Sequence, residues 1–304
     1  MLKFIFTVLT IALIAASALG QAPTLRIVTD DPTLPSDLFY GNIKVKPLRL
    51  RPGTNSVITI DDSDFFVSQH YVDFLNRFPD QGGMDYWTAQ LANCGSNAAC
   101  LNDHRINVSA AFFIELEFQQ TGSYVYRFYK GSLGRQPAYN EFTPDRRQVV
   151  GGANLEASKA AFAESWTQRA EFQSRYGSLS NNAFVDALIA TVKQADGVDL
   201  SSMSASLKAQ LGGGATRGQI TRQVIDAQAF ANAEYNPSFV RMQYFGYLKR
   251  DPDAGGEAFW LNVLNNAEPN NFRGMVCSFI TSREYQERFG SSVTHTNADC
   301  ANVH

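Results

Sequence analysis

Three closely spaced aspartates are the first residues in this chain that could do chemistry. Asp61, Asp62 and Asp64 bring carboxylates together, and two facing carboxylates form the catalytic pair of many glycoside hydrolases. Aspartate also accepts hydrogen bonds from the first backbone N–H groups of a helix, and Asp62 or Ser63 is well placed to cap one. Both interpretations stay open, and a cleft with two facing carboxylates would distinguish them.

A second acidic segment resembles the start of a calcium-binding loop. Asp251, Asp253 and Glu257 lie in the sequence Asp-Pro-Asp-Ala-Gly-Gly-Glu, and calcium prefers carboxylate oxygens as ligands. The third acidic position and the distal glutamate of an EF-hand are missing, and Phe78 replaces the first aspartate in a related segment. The sequence favours a turn followed by a helix cap over a calcium site.

Four cysteines predict two disulfides, because an even number is typical of exported, disulfide-bonded proteins. Three pairings are possible. Proximity favours a bond between Cys94 and Cys100 around a short loop, and a bond between Cys277 and Cys300 that pins the polar tail. Free buried thiols are the alternative.

Common catalytic and cofactor motifs are absent from the sequence. It contains no serine nucleophile elbow, no phosphate-binding loop and no paired-histidine zinc helix. The histidines are scattered, at His70, His104, His295 and His304. We therefore predict no catalytic residue, no cofactor and no metal site.

An internal repeat indicates how the chain is organised. Residues 66–91 align without a gap on residues 239–264, with 11 of 26 positions identical. Two weaker copies place the starts of four units near residues 66, 124, 184 and 239. Apolar residues recur within the units at three- and four-residue intervals, which predicts helices, including one from Arg105 to Gln119. The fold class is therefore all-α, with tandem three-helix-type units packed into a bundle.

Three units share an arginine and a glutamate at equivalent positions. The pairs are Arg77 and Glu117, Arg135 and Glu171, and Arg250 and Glu284. The third unit has lost both charges, with Ala195 and Ala229 at the aligned positions. Loss of both charges together is expected if the arginine and glutamate form an ion pair that is shielded from water, because a buried charge left without its partner is costly. We predict a structural salt bridge in each of the three units, and independent surface charges are the alternative.

The two ends of the chain differ from the repeats. Lys3, an apolar stretch and the small residues before Gln21 predict a signal peptide at residues 1–20, with an uncleaved anchor as the alternative. Residues 21–62 are proline-rich and β-prone, which predicts an extended linker or a short β hairpin. Residues 63–290 form the helical repeat domain, and residues 291–304 a polar tail.

Composition narrows the range of partners. The chain has 44% hydrophobic and 18% charged residues, so it can bury a substantial core. Its net charge of −3 and the lack of a lysine and arginine cluster make nucleic acid a poor partner. No stretch after the leader approaches the length of a membrane span.

The repeated phrase carries a family likeness. Tyr71, Leu75, Arg77, Pro79, Asp80, Gly82 and Trp87, with the same phrase from Tyr244 to Trp260, resemble the domain of unknown function 4214. That family is similar to the linker domain of phycobilisomes and occurs in exported bacterial proteins, often in tandem. The resemblance extends over residues 63–290, most strongly in the first and last units. It implies a helical module for organisation or binding outside the cell, with no catalytic residues to transfer.

These observations lead to one main functional hypothesis and two alternatives. We expect a non-catalytic interaction or scaffold module, periplasmic or extracellular, whose partner is an envelope protein or polysaccharide. A carbohydrate-binding module is the first alternative, because aromatic residues make up 12% of the chain and exposed aromatic rings bind sugars. An envelope hydrolase that uses the three aspartates is the second.

Overall fold

The computed structural model describes residues 25–27, 38–40, 43–44, 58–114, 116–290, 293–301 and 303. The expected signal peptide at residues 1–20 lies outside the described residues, as does most of the lead-in. Three short antiparallel strands are described there, β1 (Leu25–Ile27), β2 (Leu38–Tyr40) and β3 (Ile43–Lys44), in the order β1-β2-β3. Leu25 pairs with Tyr40, and Tyr40 pairs with Ile43.

From residue 63 onwards the fold is all-α, as the sequence predicted. The first two units contain α1 (Ser63–His70), α2 (Gln81–Ala92), α3 (Ala98–Ile114), α4 (Leu116–Gln120), α5 (Gly122–Phe128), α6 (Tyr139–Arg146), α7 (Leu155–Thr167) and α8 (Ala170–Tyr176). The last two contain α9 (Asn181–Asp196), α10 (Ser204–Gly212), α11 (Arg217–Ile225), α12 (Gln228–Ala233), α13 (Tyr235–Gln243), α14 (Ala254–Asn262), α15 (Phe272–Ile280) and α16 (Arg283–Gln286).

Units two, three and four each contain four α-helices, one more than the expected three-helix type. α3 and α4 cover the described parts of the predicted helix from Arg105 to Gln119, and residue 115 between them lies outside the described residues. In units two and four, two residues separate the last two helices, and the second of these residues has an extended backbone. Arg169 has this conformation before α8, and Ser282 has it before α16, where its hydroxyl accepts a hydrogen bond from Tyr285 N. The helical periodicity of the sequence continues across such a break, so the periodicity does not reveal where one helix ends and the next begins.

The first helix of units one, two and four ends in a shared geometry. A π-helical turn extends α1, α5 and α13 over Tyr71–Leu75, Tyr129–Leu133 and Tyr244–Leu248 respectively. A residue with a left-handed backbone then stops each helix: Asn76, Gly134 or Lys249, with φ of 52°, 67° and 58°. A left-handed residue ends a helix without strain on the following backbone, and the next residue in each case is the arginine shared by these three units.

Units one and four, the most similar pair in sequence, pack against each other through these turns. The rings of Phe74 and Tyr247 meet edge to face, 4.8 Å between centroids, and Gly246 lies directly against Phe74. Units two and three also pack against each other, where Gly131 in the π-helical turn after α5 lies against Ile225 at the end of α11. One continuous apolar core links the four units, and Trp166 is fully buried in it.

The polar tail folds back onto the first unit. A disulfide joins Cys300 to Cys277 of α15, and Asn102 of α3 donates to the carbonyl of Asp299 at 2.8 Å. Among the residues that the structure describes, no helix combines the length and apolar character needed to cross a membrane.

Candidate functional site

The repeated arginine and glutamate form a trio with a tyrosine. Its members are Tyr71, Arg77 and Glu117; Tyr129, Arg135 and Glu171; and Tyr244, Arg250 and Glu284. In each trio, two guanidinium nitrogens donate to the carboxylate over 2.7–2.9 Å. The guanidinium also stacks on the tyrosine, 4.8–5.3 Å from the ring centre. The trio therefore ties the end of a unit's first helix to the start of its fourth.

The arginine and glutamate of each trio are more exposed to water than we expected from the loss of both charges in the third unit. The side chains of Arg77 and Glu117 are 32% and 25% exposed, and the other two pairs are more exposed still. Water therefore screens each pair, and its contribution to stability is on the order of 1 kcal/mol. In the third unit the left-handed residue is Gly197, so Val198, not Ala195, occupies the arginine position.

The paired glycines of the repeat make room for the tyrosine of the trio. A Cβ atom on Gly83 would lie 2.2 Å from Tyr71 Oη, and one on Gly256 would lie 2.3 Å from Tyr244 Oη. In the second unit Glu141 stands at this position. Its carboxylate accepts two hydrogen bonds from Arg135, at 2.9 Å each, and the hydroxyl of Tyr129 donates to Asp145 instead. The glycine is thus replaced only where the tyrosine hydroxyl points elsewhere.

The calcium-like loop holds its aspartates in other roles. Asp253 caps α14, because its Oδ1 accepts a hydrogen bond from Gly256 N at 2.7 Å. Asp251 Oδ1 accepts from Tyr139 N of the second unit at 2.9 Å. Asp80 caps α2 in the same way, with 2.8 Å to Gly83 N. This geometry is that of a turn and cap, the interpretation that the sequence favoured.

The three aspartates near residue 60 do not form a facing pair of carboxylates. Asp61 accepts hydrogen bonds from Arg105, His295 and Thr294, whereas Asp62 accepts one from Thr59 N. Asp64 lies in the first turn of α1. Burial raises the pKa of Asp61, but the hydrogen bond from His295 and the charge of Arg105 outweigh it and hold the pKa below its usual range. Asp61 therefore fastens the tail as a carboxylate.

All four cysteines are joined in the two local disulfides. Cys94 bonds to Cys100 across the loop between α2 and α3, with 5.5 Å between the Cα atoms. Cys277 and Cys300 have Cα atoms 5.8 Å apart. Cys94 and Cys277 are buried, so each bond ties its loop to the interior of the protein.

That junction contains a cavity of about 510 Å³, which lies where units one, two and four meet. Its walls come from α1 and the following π-helical turn, from α6, and from α13 with its own turn. The volume is within the range of about 300–1,000 Å³ that small-molecule sites occupy. Aromatic side chains line it, namely Phe74, Phe118, Tyr139, Phe142, Phe245 and Phe289.

Positive charge dominates the polar part of the cavity wall. Four cationic residues line it, Arg146, Arg147, Lys249 and Arg288, against a single carboxylate, Asp73. Asp73 binds both Arg288, at 3.0 and 3.1 Å, and Lys249, at 2.7 Å. Burial raises the pKa of Asp73, but Arg288 and Lys249 lower it to about 2, so the carboxylate stays ionised. The cavity retains a surplus of three positive charges.

Arg146 is the most unusual group in this wall. It is only 6% exposed, and its guanidinium donates to two backbone carbonyls, of Val149 at 3.0 Å and Phe74 at 3.3 Å. Its Nε is buried without a hydrogen-bond partner, and its described hydrogen bonds go only to these two carbonyls. Burial lowers the pKa of Arg146 to about 10, so the group is still charged at neutral pH. The charge of Glu117 offsets this effect of burial only in part, and Glu117 is itself bonded to Arg77, so an anionic ligand would compensate Arg146 further.

Sequence reasoning missed this cavity. Its residues come from three units and are up to about 220 positions apart in the chain, so no local motif marks them. The only local sign of the cavity was the pair of adjacent arginines, Arg146 and Arg147. Both lie in the second unit, where the repeat phrase is weak.

The fold and the cavity together define a class, an all-α repeat protein with a ligand-sized cavity between its units. The family model described as Domain of unknown function (DUF4214) matches residues 56–101, which span α1, α2 and the start of α3. The first unit therefore contains a domain of this family, as the resemblance indicated. No curated protein and no solved structure matches the chain.

Proposed function

We propose that the protein is a non-catalytic interaction module that works in the periplasm or outside the cell, and that it captures its partner through the central cavity. The observation that carries this proposal is Arg146, a buried charge in the wall of a ligand-sized cavity whose described hydrogen bonds go only to backbone carbonyls and whose Nε has no partner. An envelope protein or polysaccharide that presents a suitable group is the expected partner. The signal-peptide pattern and the two disulfides support an exported location.

The rigid setting of the cavity also supports binding. Ion pairs between Asp73 of unit one and both Lys249 and Arg288 of the last unit hold two of its walls together. Arg146 links the second unit to the first through the carbonyl of Phe74. A cavity that is already formed in the free protein loses little entropy when a ligand enters.

Cell fractionation followed by a pull-down tests this function. Cells that express a tagged chain would be separated into cytoplasm, periplasm, envelope and medium, and the tagged protein recovered from the fraction that holds it. We expect it outside the cytoplasm, together with a polysaccharide or protein of the envelope. A monomer that binds nothing in any fraction would count against the proposal, and one found only in the cytoplasm would exclude the location.

A carbohydrate-binding surface is a second candidate, favoured by a different observation. Tyr86 and Phe259 occupy equivalent positions in the first and last units, and each is 58% exposed. Each ring meets a half-buried tryptophan edge to face, Trp87 at 4.8 Å and Trp260 at 5.1 Å. Exposed aromatic rings can stack on sugars, so a panel of envelope glycans tested against Tyr86→Ala and Phe259→Ala would examine this role.

A further inference from the structure

We infer that the cavity binds a small organic anion, a carboxylate carried on a six-membered ring. This inference rests on the proposed function and names the chemical group that the partner presents. Two sources supply such a group, an aromatic acid and a hexuronic acid, and the experiment below distinguishes them.

The charges of the wall select an anion. Asp73 compensates one of the four cationic residues and is shared between Lys249 and Arg288. Arg147 is exposed and has no ion pair among the described residues, while Arg146 has only carbonyl acceptors. A ligand with one carboxylate reduces the surplus from three charges to two without over-neutralising it. Guanidinium groups bind carboxylates more strongly than they bind neutral acceptors.

The apolar part of the wall selects a ring. Phe245 lies at the centre of a small aromatic cluster, with its ring centroid 5.3 Å from Phe142 and 5.5 Å from Tyr139. These three rings line the cavity together with the cationic residues. Flat aromatic faces pack well against another ring, whether it is aromatic or the apolar face of a sugar. Gln69 and Thr143 also line the cavity and offer polar atoms for ring substituents.

Isothermal titration of the purified protein with matched probes tests the inference. The acids are benzoate and glucuronate, and their neutral counterparts are benzamide and glucose. We expect one acid to bind at least about tenfold more tightly than its neutral counterpart, with an affinity that falls as salt is added. The acid that binds identifies the source of the ligand.

Two variants and a control connect binding to the cavity. Arg147→Gln alters an exposed side chain, so it should leave the fold intact and weaken only the acid several-fold. Arg146→Met should weaken the acid further. Arg283→Gln removes a charge from an exposed arginine outside the cavity, so it should change nothing. Equal weakening by Arg147→Gln and Arg283→Gln would show a general charge effect and overturn the inference.

The outcomes separate the inference from the proposed function. If acid and neutral probes bind equally, the anion preference is wrong, but the cavity is still a binding site. If neither acid binds at millimolar concentration while the pull-down still recovers a partner, the inference fails and the interaction function stands. If the pull-down also recovers nothing, both fail.

Discussion

The second glycine of the repeat allows a sharp test of how the trio is built. Gly82 and Gly83 are adjacent in the first turn of α2, yet their surroundings differ. A Cβ atom on Gly83 would lie 2.2 Å from Tyr71 Oη and 3.2 Å from the ring carbon that bears it. A Cβ atom on Gly82 would meet only Asp80 Oδ1, at 3.5 Å, which is an ordinary contact. Alanine should therefore be tolerated at residue 82 and not at residue 83.

The expected change in the free energy of unfolding depends on two opposing effects. Alanine stabilises a helix by about 0.5–1 kcal/mol relative to glycine, so Gly82→Ala should raise the free energy of unfolding slightly. At residue 83 the clash cannot be relieved by a small rotation, because Tyr71 is only 4% exposed. Overpacking of this kind costs about 1–3 kcal/mol, so Gly83→Ala should lower the free energy of unfolding by about 1–2 kcal/mol.

Urea unfolding followed by circular dichroism measures both variants. Tyr71→Phe removes the hydroxyl that causes the clash, so Gly83→Ala should cost less in a Tyr71→Phe background than in the wild type. Gly256→Ala should repeat the effect in the fourth unit. Equal free energies of unfolding for the two glycine variants, or no relief from Tyr71→Phe, would refute the reasoning.

Three further predictions concern acid stability, the trio and the tail. Burial lowers the pKa of His70 to about 4 in the folded protein. As the pH falls below about 6.5, His70 therefore becomes protonated in the unfolded chain while it stays neutral in the folded one. The free energy of unfolding should therefore fall by about 1.4 kcal/mol per pH unit from pH 6.5 towards 4, and urea unfolding of His70→Gln should show a smaller fall. A double-mutant cycle of Arg77→Ala and Glu117→Ala should give a coupling energy of about 0.5–1 kcal/mol, and a value of zero would contradict the trio. Replacing Cys277 and Cys300 by serine should lower the free energy of unfolding by about 3 kcal/mol, because the bond closes a loop with a sequence separation of 23; an unchanged melting temperature would count against this.

Much of the fold could be predicted because the repeated units can be aligned with one another. The shared tyrosine, arginine and glycine of units one and four mark residues that interact within a unit, and the structure brings Tyr71, Arg77 and Gly83 together. The break before the fourth helix could not be predicted, since it depends on the backbone conformation of one residue, such as Ser282. Helical periodicity is the same on both sides of that residue.

The cavity could not be predicted because it belongs to the packing between units. Arg146 reaches the carbonyl of Phe74, and Asp73 binds Arg288, a residue more than 200 positions away. The residues of the repeated phrase contact each other within a unit, so the phrase does not include these pairs between units. The sequence therefore indicated a binding module without indicating where it binds.

Blocking the cavity tests the central claim most directly. Thr143 lines the cavity on α6, and Thr88 on α2 does not; both are half-buried and donate their hydroxyl to the carbonyl four residues earlier, at 2.8 and 2.7 Å. Thr143→Phe should fill the space, whereas Thr88→Phe is the matched control. The measurement is the fraction of each folded variant retained on isolated envelope. We predict retention of the wild type and Thr88→Phe and loss of Thr143→Phe; equal retention of all three would contradict binding through the cavity.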